Sequence, residues 1–146
     1  MPVYQTEKAF LAAVENPDDK TNSRKLYTES EINLIKSQFP GITSDFTAYL
    51  QEIGEGSFRE CQFSVTGKLF DLATIGLEDS FEIKHSIKFF GDNYSGDFSG
   101  FDFESNDDKV IEFWHDSGEL YETNKSFKEY IQEQMLMGTD GTDLRK

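Results

Sequence analysis

Cysteine is almost absent from this sequence, because Cys61 is the single cysteine among 146 residues. An internal disulfide is therefore impossible, and the fold has to be stabilised by burial of apolar side chains. Long apolar runs are missing too, since no stretch approaches the roughly eighteen residues of a membrane-spanning helix. The first residues lack a basic leader followed by an apolar segment, so we expect no signal peptide and a cytoplasmic location.

Basic residues are also scarce relative to acidic residues. Lys and Arg number 14 against 28 acidic residues, which gives a formal net charge of −14. Residues 78–122 hold 13 of the acids and three bases, a net charge of −10. Such a surface repels phosphate backbones and anionic lipids, so nucleic-acid and membrane binding are disfavoured and a basic protein partner is attracted. Solubility alone is the alternative explanation of this charge.

Aromatic residues, in contrast, are plentiful. Fourteen Phe residues contribute to an aromatic content of 14%, and each buried ring removes about 150 to 250 Å² from water. A chain of this length suits one domain with one core. We therefore expect a single domain over residues 1–146, with an N-terminal helix and loop in residues 1–25 and a flexible tail over residues 139–146.

Capping patterns and helical periodicity predict four helices. Thr6 is the expected cap of the first, and Thr28 with Glu31 forms a capping box for the second, which Pro40 stops. A third helix begins at Thr43 or Ser44, ends at Gly54 and has the buried stripe Phe46, Tyr49, Leu50 and Ile53. The last helix has the capping box of Ser126 with Glu129, the stripe Phe127, Tyr130, Ile131 and Met135, and an end at Gly138.

Alternating apolar residues predict the strands. We expect strands over residues 58–65 and 69–73 with a turn at Gly67, then strands at residues 87–90, 101–104 and 110–115, and a last one starting at Leu120. Residues 75–83 are compatible with a short helix or a loop. The predicted fold is α+β, a single mixed and mostly antiparallel sheet flanked by N-terminal helices and a C-terminal helix.

No pattern in the sequence specifies a catalytic, cofactor or metal site. The acids that follow Asp92 do not have the spacing of a calcium-binding loop, so we expect Asp92 to close its own turn. Three glycines, Gly91, Gly96 and Gly100, lack the spacing and the following helix of a nucleotide-binding loop. Cys61 with His85 or His115 could nominally supply a nucleophile and a base, but no local signature supports such a pair. Cys61 is therefore interpreted as a small buried hydrophobe. Trp114 is either a core residue or a binding anchor, and in a central strand the core is the preferred interpretation.

Two functions from different classes remain open for the acidic and aromatic residues. Paired carboxylates could serve glycoside hydrolysis, with Tyr94, Phe98, Phe101 and Trp114 to stack on sugars. That chemistry requires two carboxyls about 5 to 10 Å apart and one raised pKa. The preferred interpretation is contact with a protein partner. We expect this contact to be made by an acidic surface that consists of Asp97, Asp102, Glu104, Asp107 and Asp108.

The order of these elements resembles the SUKH superfamily, which includes the yeast cell-wall (glucan) synthesis regulator and many bacterial toxin-immunity proteins. The resemblance spans about residues 28–134. It is carried by Glu31 to Phe39 before Pro40, by Asp45, Phe46, Tyr49 and Leu50 before Gly54 and Gly56, by Gly91 and Asp92, by the strand 110–115, and by Ser126, Phe127, Tyr130 and Ile131. Residues 41–44, between Pro40 and the aromatic helix, depart from the family pattern.

The resemblance implies an α+β domain that binds proteins and carries no catalytic residues. It implies immunity against a toxin domain as the function. A regulatory or scaffolding interaction module is the alternative interpretation of the sequence, and a small enzyme such as a carbohydrate-acting hydrolase is the third. An acidic surface that covers the basic cleft of a toxin would fit the charge of residues 78–122. The resemblance leaves the identity of the partner and the oligomeric state open.

Overall fold

Four helices and seven strands make up the structure, a computed structural model that describes residues 2–76, 86–105 and 108–145. The helices are α1 (Gln5–Val14), α2 (Glu29–Gln38), α3 (Ser44–Glu52) and α4 (Phe127–Gln134). The strands are β1 (Arg24–Lys25), β2 (Glu55–Phe58), β3 (Phe63–Phe70), β4 (Ile87–Asp92), β5 (Phe98–Asp102), β6 (Lys109–Trp114) and β7 (Glu119–Ser126). The fold is α+β, as the sequence predicts.

The first helix does not start with the predicted cap. It begins at Gln5, one residue before Thr6, and Tyr4 precedes it without a side-chain capping bond. The Glu52 carboxylate of α3 instead accepts hydrogen bonds from the backbone N–H groups of Val3 and Tyr4 at 2.8 to 3.1 Å. Because this anchor comes from a residue 48 positions away, local sequence could not reveal it.

The other helix starts follow the local sequence closely. Both capping boxes form, Thr28 with Glu31 before α2 and Ser126 with Glu129 before α4. At α3 the cap is Thr43, whose hydroxyl accepts from the backbone N–H of Phe46. Gly54 follows α3 with φ of +104° and lies so close to β1 that a Cβ atom would meet the Lys25 carbonyl oxygen at 2.6 Å. A glycine is therefore required there.

The strands form one sheet in the order β1-β2-β3-β4-β5-β6-β7, with antiparallel pairing between each neighbouring pair of described strands. The prediction was wrong between residues 58 and 73. Its first strand is divided by a turn over residues 59–62, and Gly67 lies inside β3 instead of in a turn. Arg59, Glu60 and Cys61 all have positive φ, a conformation that breaks a strand but that side-chain alternation does not reveal.

Both faces of the sheet carry buried side chains. On the helix side, Phe63, Val65, Phe90, Phe101 and Val110 pack with residues from all four helices. The opposite face has a smaller cluster of Leu72, Ile87, Phe89, Ile111 and Phe113, against which Phe70 and Phe98 pack. Val110 and Ile111, which are adjacent in β6, therefore face opposite sides of the sheet.

Helix α4 lies on the helix side of the sheet and contacts several strands along its length. It starts directly after β7, and its Tyr130 hydroxyl reaches Ser99 of β5 and Glu112 of β6. Its end lies beside the β2–β3 turn, where the Arg59 guanidinium donates to the Met135 carbonyl at 3.0 Å. The helix thus leaves the part of β6 and β7 nearest to their connecting turn uncovered.

The C-terminal segment, for which the sequence predicts a flexible tail, folds back onto this region. Arg59 is 3% exposed and pairs with both carboxylate oxygens of Asp143 at 3.0 Å. Backbone hydrogen bonds join Leu144 to Leu136 and Gly138 to Thr142. These contacts give residues 138–145 ordered partners that composition could not indicate. The predicted helix or loop at residues 75–83 lies mostly outside the described residues.

Among the side chains of α4, Phe127 should be the one whose truncation destabilises the protein most. It is fully buried, and its ring lies 5.0 to 5.4 Å from the rings of Phe46, Tyr49 and Phe90. We expect Phe127→Ala to lower the free energy of unfolding by about 3 to 5 kcal/mol, because it removes these contacts and leaves a cavity. Chemical denaturation measures the loss.

Leu34→Ala is the matched control, since Leu34 is 60% exposed on α2 and its truncation should change the free energy of unfolding by about 0.5 kcal/mol or less. Similar losses in the two variants would contradict the placement of Phe127 at the centre of the core.

Candidate partner-binding surface

The acids that the sequence assigns to partner contact lie at two opposite ends of the sheet. Asp97 directly precedes β5, whereas Asp102 ends it. Glu104 and Asp108 follow at the second end, in the turn between β5 and β6. A strand rises about 3.3 Å per residue, so roughly 16 Å separate the two groups. Asp107 lies outside the described residues.

At the second end, the Asp102 carboxylate stabilises its own turn. It accepts hydrogen bonds from the Ser86 hydroxyl at 2.7 Å and from the Glu104 backbone N–H at 3.0 Å. Its carbonyl accepts from the Ser105 hydroxyl at 2.9 Å. Glu104 and Asp108 are exposed. This end therefore combines a structural carboxylate with solvated ones.

At the first end, the β4–β5 loop is closed by its own side chains. The Asp92 carboxylate accepts from the backbone N–H of Tyr94 at 2.7 Å, as the sequence predicts for Asp92. The Asn93 side-chain oxygen accepts from the N–H groups of Ser95 and Asp97. These bonds fix the position of Asp97 beside the β6–β7 turn.

Asp97 holds the imidazole of His115 against a second carboxylate. Its Oδ1 lies 2.7 Å from His115 Nδ1 and accepts from the His115 backbone N–H at 3.0 Å. On the other side of the ring, Nε2 lies 3.0 Å from Asp116 Oδ1. Gly96 packs under the ring, where a Cβ would meet Nδ1 at 3.0 Å.

This contact shifts two pKa values in opposite directions. The hydrogen bond to Asp97 raises the pKa of His115 above its ordinary value of 6.5, although desolvation opposes this shift. Burial opposes ionisation of Asp97, but hydrogen bonds from His115 and Asn93 outweigh it and hold the pKa of Asp97 below its usual value. The raised pKa of His115 and the lowered pKa of Asp97 both favour an ion pair near neutral pH.

Trp114 is not a core residue, which corrects the interpretation from sequence. It is 39% exposed and stacks on Tyr121, itself 49% exposed, with ring centroids 5.3 Å apart and planes 18° from parallel. The reason is the course of α4. The helix packs near Val110 and contacts Glu112 through Tyr130, but it does not cover the end of β6. Period-two alternation places Trp114 on the helix side, and only the position of α4 determines whether that side is covered.

Four residues of this uncovered region form what we call the aromatic corner: Glu112, Trp114, Glu119 and Tyr121. Glu112 pairs with Tyr121 across the two strands, and Trp114 pairs with Glu119. Directly paired residues place their side chains on the same face of a sheet. The corner is therefore a block in which carboxylates and aromatic rings alternate.

Glu112 connects the aromatic corner to the core. One carboxylate oxygen accepts from the indole N–H of Trp114 at 3.2 Å, and the other accepts from the Tyr130 hydroxyl at 2.6 Å. Burial, followed by the hydrogen bond to Glu112, raises the pKa of Tyr130. The Tyr130 hydroxyl therefore stays protonated and keeps donating at neutral pH.

Sequence reasoning missed Glu112, Glu119 and Tyr121 as candidate site residues. The sequence contains a usable signal, because a short turn between β6 and β7 pairs Trp114 with Glu119 and sets the register for Tyr121. Assigning Trp114 to the core prevented its use.

Other chemistries find little support at this surface. No cluster of three or more His, Cys, Asp or Glu residues suited to a metal ion occurs among residues 2–76, 86–105 and 108–145. Cys61 is half-buried in the β2–β3 turn, with its Sγ 3.9 Å from the Ser57 hydroxyl. Each described carboxyl with a clear shift has a lowered pKa, whereas a glycosidase acid requires a raised one.

Comparisons with known proteins found no matching family model, no similar curated protein and no similar solved structure. In the part of the chain that the structure describes, no helix has the length and apolar character needed to cross a membrane.

The Asp97–His115 pair predicts a pH dependence. Because the pKa of His115 is raised in the folded state, the pair stabilises fully below the unfolded value of about 6.5, and this contribution is lost as pH rises through the folded pKa. We expect Asp97→Asn to lower the pKa of His115, measured by NMR titration of the ring. It should also reduce the thermal midpoint more at pH 6 than at pH 9.

Asp108→Asn is the control, because it removes the same charge at the opposite end of the sheet. An unchanged pKa of His115 in Asp97→Asn, or an equal decrease in both variants, would show that the 2.7 Å contact does not govern this titration.

Proposed function

We propose that this protein is a non-catalytic protein-binding domain that captures a basic protein partner, and that it acts as an immunity protein against a bacterial toxin domain. The observation that carries the proposal is the aromatic corner, where an exposed Trp–Tyr stack lies between carboxylates in a chain of net charge −14. Trp and Tyr are enriched among the residues that dominate interface energies. An exposed stack of this kind is a suitable anchor for a partner.

Charge supports a basic partner. The residues around the stack include Asp97 beside the β6–β7 turn, Asp116 in that turn and Glu119 on β7, and they belong to the segment with the most acidic composition. Opposite charges steer encounter and suppress wrong partners. The same charge disfavours nucleic acids and anionic membranes, so we propose that the domain binds neither of them.

The immunity assignment depends on the resemblance to the SUKH superfamily, and membership of that superfamily is part of the proposal. Support comes from the α+β fold, from the two capping boxes and from the buried stripe of α3; the capping boxes and the stripe lie within residues 28–134, which the resemblance spans. A cytoplasmic location belongs to the same proposal and agrees with a single unpaired cysteine.

Co-expression with toxin domains that have basic surfaces tests the proposal. We expect one of them to be neutralised, with growth restored and a stable complex recovered by size exclusion. A toxin domain that is bound without loss of its toxicity would favour a regulatory or scaffolding module. Absence of binding to every basic domain tested would refute both.

Charge reversal should then locate the binding surface. We expect Glu119→Lys to slow association with the neutralised toxin domain on the order of tenfold at low salt, because it reverses a charge at the aromatic corner. Stopped-flow mixing at several salt concentrations measures the association rate.

Glu104→Lys is the matched control, because it makes the same charge change in the β5–β6 turn at the other end of the sheet. A larger effect of Glu104→Lys would move the interface to that end. Equal effects would indicate attraction by net charge alone.

A further inference from the structure

The aromatic corner combines two recognition elements within one block of four side chains. The Trp114 and Tyr121 rings lie on its diagonal, 5.3 Å apart and nearly parallel. Glu112 and Glu119 occupy the other two positions through the pairs Glu112 with Tyr121 and Trp114 with Glu119. A ligand on the exposed rings therefore meets an aromatic surface and a carboxylate together.

The two carboxylates of the corner have different roles. Glu112 already accepts from Trp114 and Tyr130, which fixes the indole and leaves it little freedom to bind elsewhere. Glu119 is exposed, and no side chain among the described residues donates to its carboxylate. Its oxygens are therefore accessible to a donor from another molecule.

The protein's own nearby cation does not occupy this position. Lys125 lies on β7, and the hydrogen bond to Glu133 is the main cause of its raised pKa. Its ammonium lies 2.8 Å from Glu133 Oε1 on α4. Lys125 therefore pairs with Glu133 and not with Glu119.

We propose that the aromatic corner binds an arginine side chain of the basic partner. The guanidinium lies on the Trp114–Tyr121 rings and donates to the Glu119 carboxylate. A guanidinium is planar, stacks on aromatic faces and donates two parallel hydrogen bonds to one carboxylate, whereas a lysine ammonium is a compact and strongly hydrated charge. Arginine is therefore preferred over lysine. This inference rests on the proposed function, because it assumes a basic protein partner.

The site has a built-in reporter, because Trp114 is the only tryptophan of the chain. Its fluorescence can be followed while a short peptide with three arginines, separated by Gly-Ser, is added to the full-length protein. The same peptide with three lysines is the comparison. We expect the arginine peptide to bind about fivefold more tightly at a salt concentration of about 150 mM, where diffuse attraction is screened.

Three variants distinguish binding at the aromatic corner from attraction by the net charge of the protein. Glu119→Gln and Tyr121→Leu should each remove the preference for arginine, because they remove the carboxylate and half of the stack. Glu122→Gln is the matched control: it makes the same change on the same strand, but Glu122 pairs with Ile111 and so faces the opposite side of the sheet. It should leave the preference intact.

The possible results have separate meanings. Equal binding of the two peptides, equal effects of Glu119→Gln and Glu122→Gln, or no fluorescence response to either peptide would overturn the arginine site. A toxin domain neutralised equally well by wild type and Tyr121→Leu would also overturn it while the proposed function stands. Selective arginine binding without any neutralised or bound protein would support the site and reject the proposed function.

Discussion

Tyr130 connects the core of this protein to its surface. Its ring packs on Phe63 and Phe90 in the helix-side core, and its hydroxyl lies between Ser99 and Glu112 at 2.5 and 2.6 Å. A buried hydroxyl without partners would cost about 1 to 3 kcal/mol, so these two bonds fix where α4 crosses the sheet. That course leaves Trp114 and Tyr121 exposed, and Glu112 then orients the indole.

Exposure of these rings next to an edge strand carries a risk of association, which the strand itself limits. Strand β7 lies at one edge of the described sheet, and its pairing with β6 shifts register between Lys109 and Ile111. Asn124 has a positive φ within this irregular stretch. Bulges and charged residues on an edge strand discourage pairing with another chain. A selective contact through the side chains of the aromatic corner is thus compatible with a strand that resists indiscriminate association.

The parts of the fold that were predictable depend on nearby residues. Thr28 with Glu31 and Ser126 with Glu129 form capping boxes because each partner is three positions away, and the α3 stripe follows from helical periodicity alone. The failures have distant causes. Glu52 replaces Thr6 at the start of α1, and consecutive positive φ angles form the β2–β3 turn.

At the candidate site, too, features set by nearby residues were predictable and features set by distant contacts were not. The sequence indicated an acidic protein-binding surface, but it grouped Asp97 with Asp102, whose separation follows from the length of β5. It assigned Trp114 to the core because strand alternation identifies a face without revealing what covers it. In this structure the cover depends on the path of α4, which is set by contacts between residues far apart in sequence.

Charge and aromatic contact act at different stages of binding. The net charge of −14 acts over the Debye length, about 8 Å at physiological salt, and therefore mainly raises the rate of encounter. It cannot distinguish one basic protein from another by shape. Stacking on Trp114 and hydrogen bonding to Glu119 require contact, so they act on the lifetime of the complex, where most affinity differences between related complexes arise. Because Glu112 and Tyr130 hold the indole in place before binding, the rings lose little freedom when a partner arrives, and more of the contact energy remains available for selectivity.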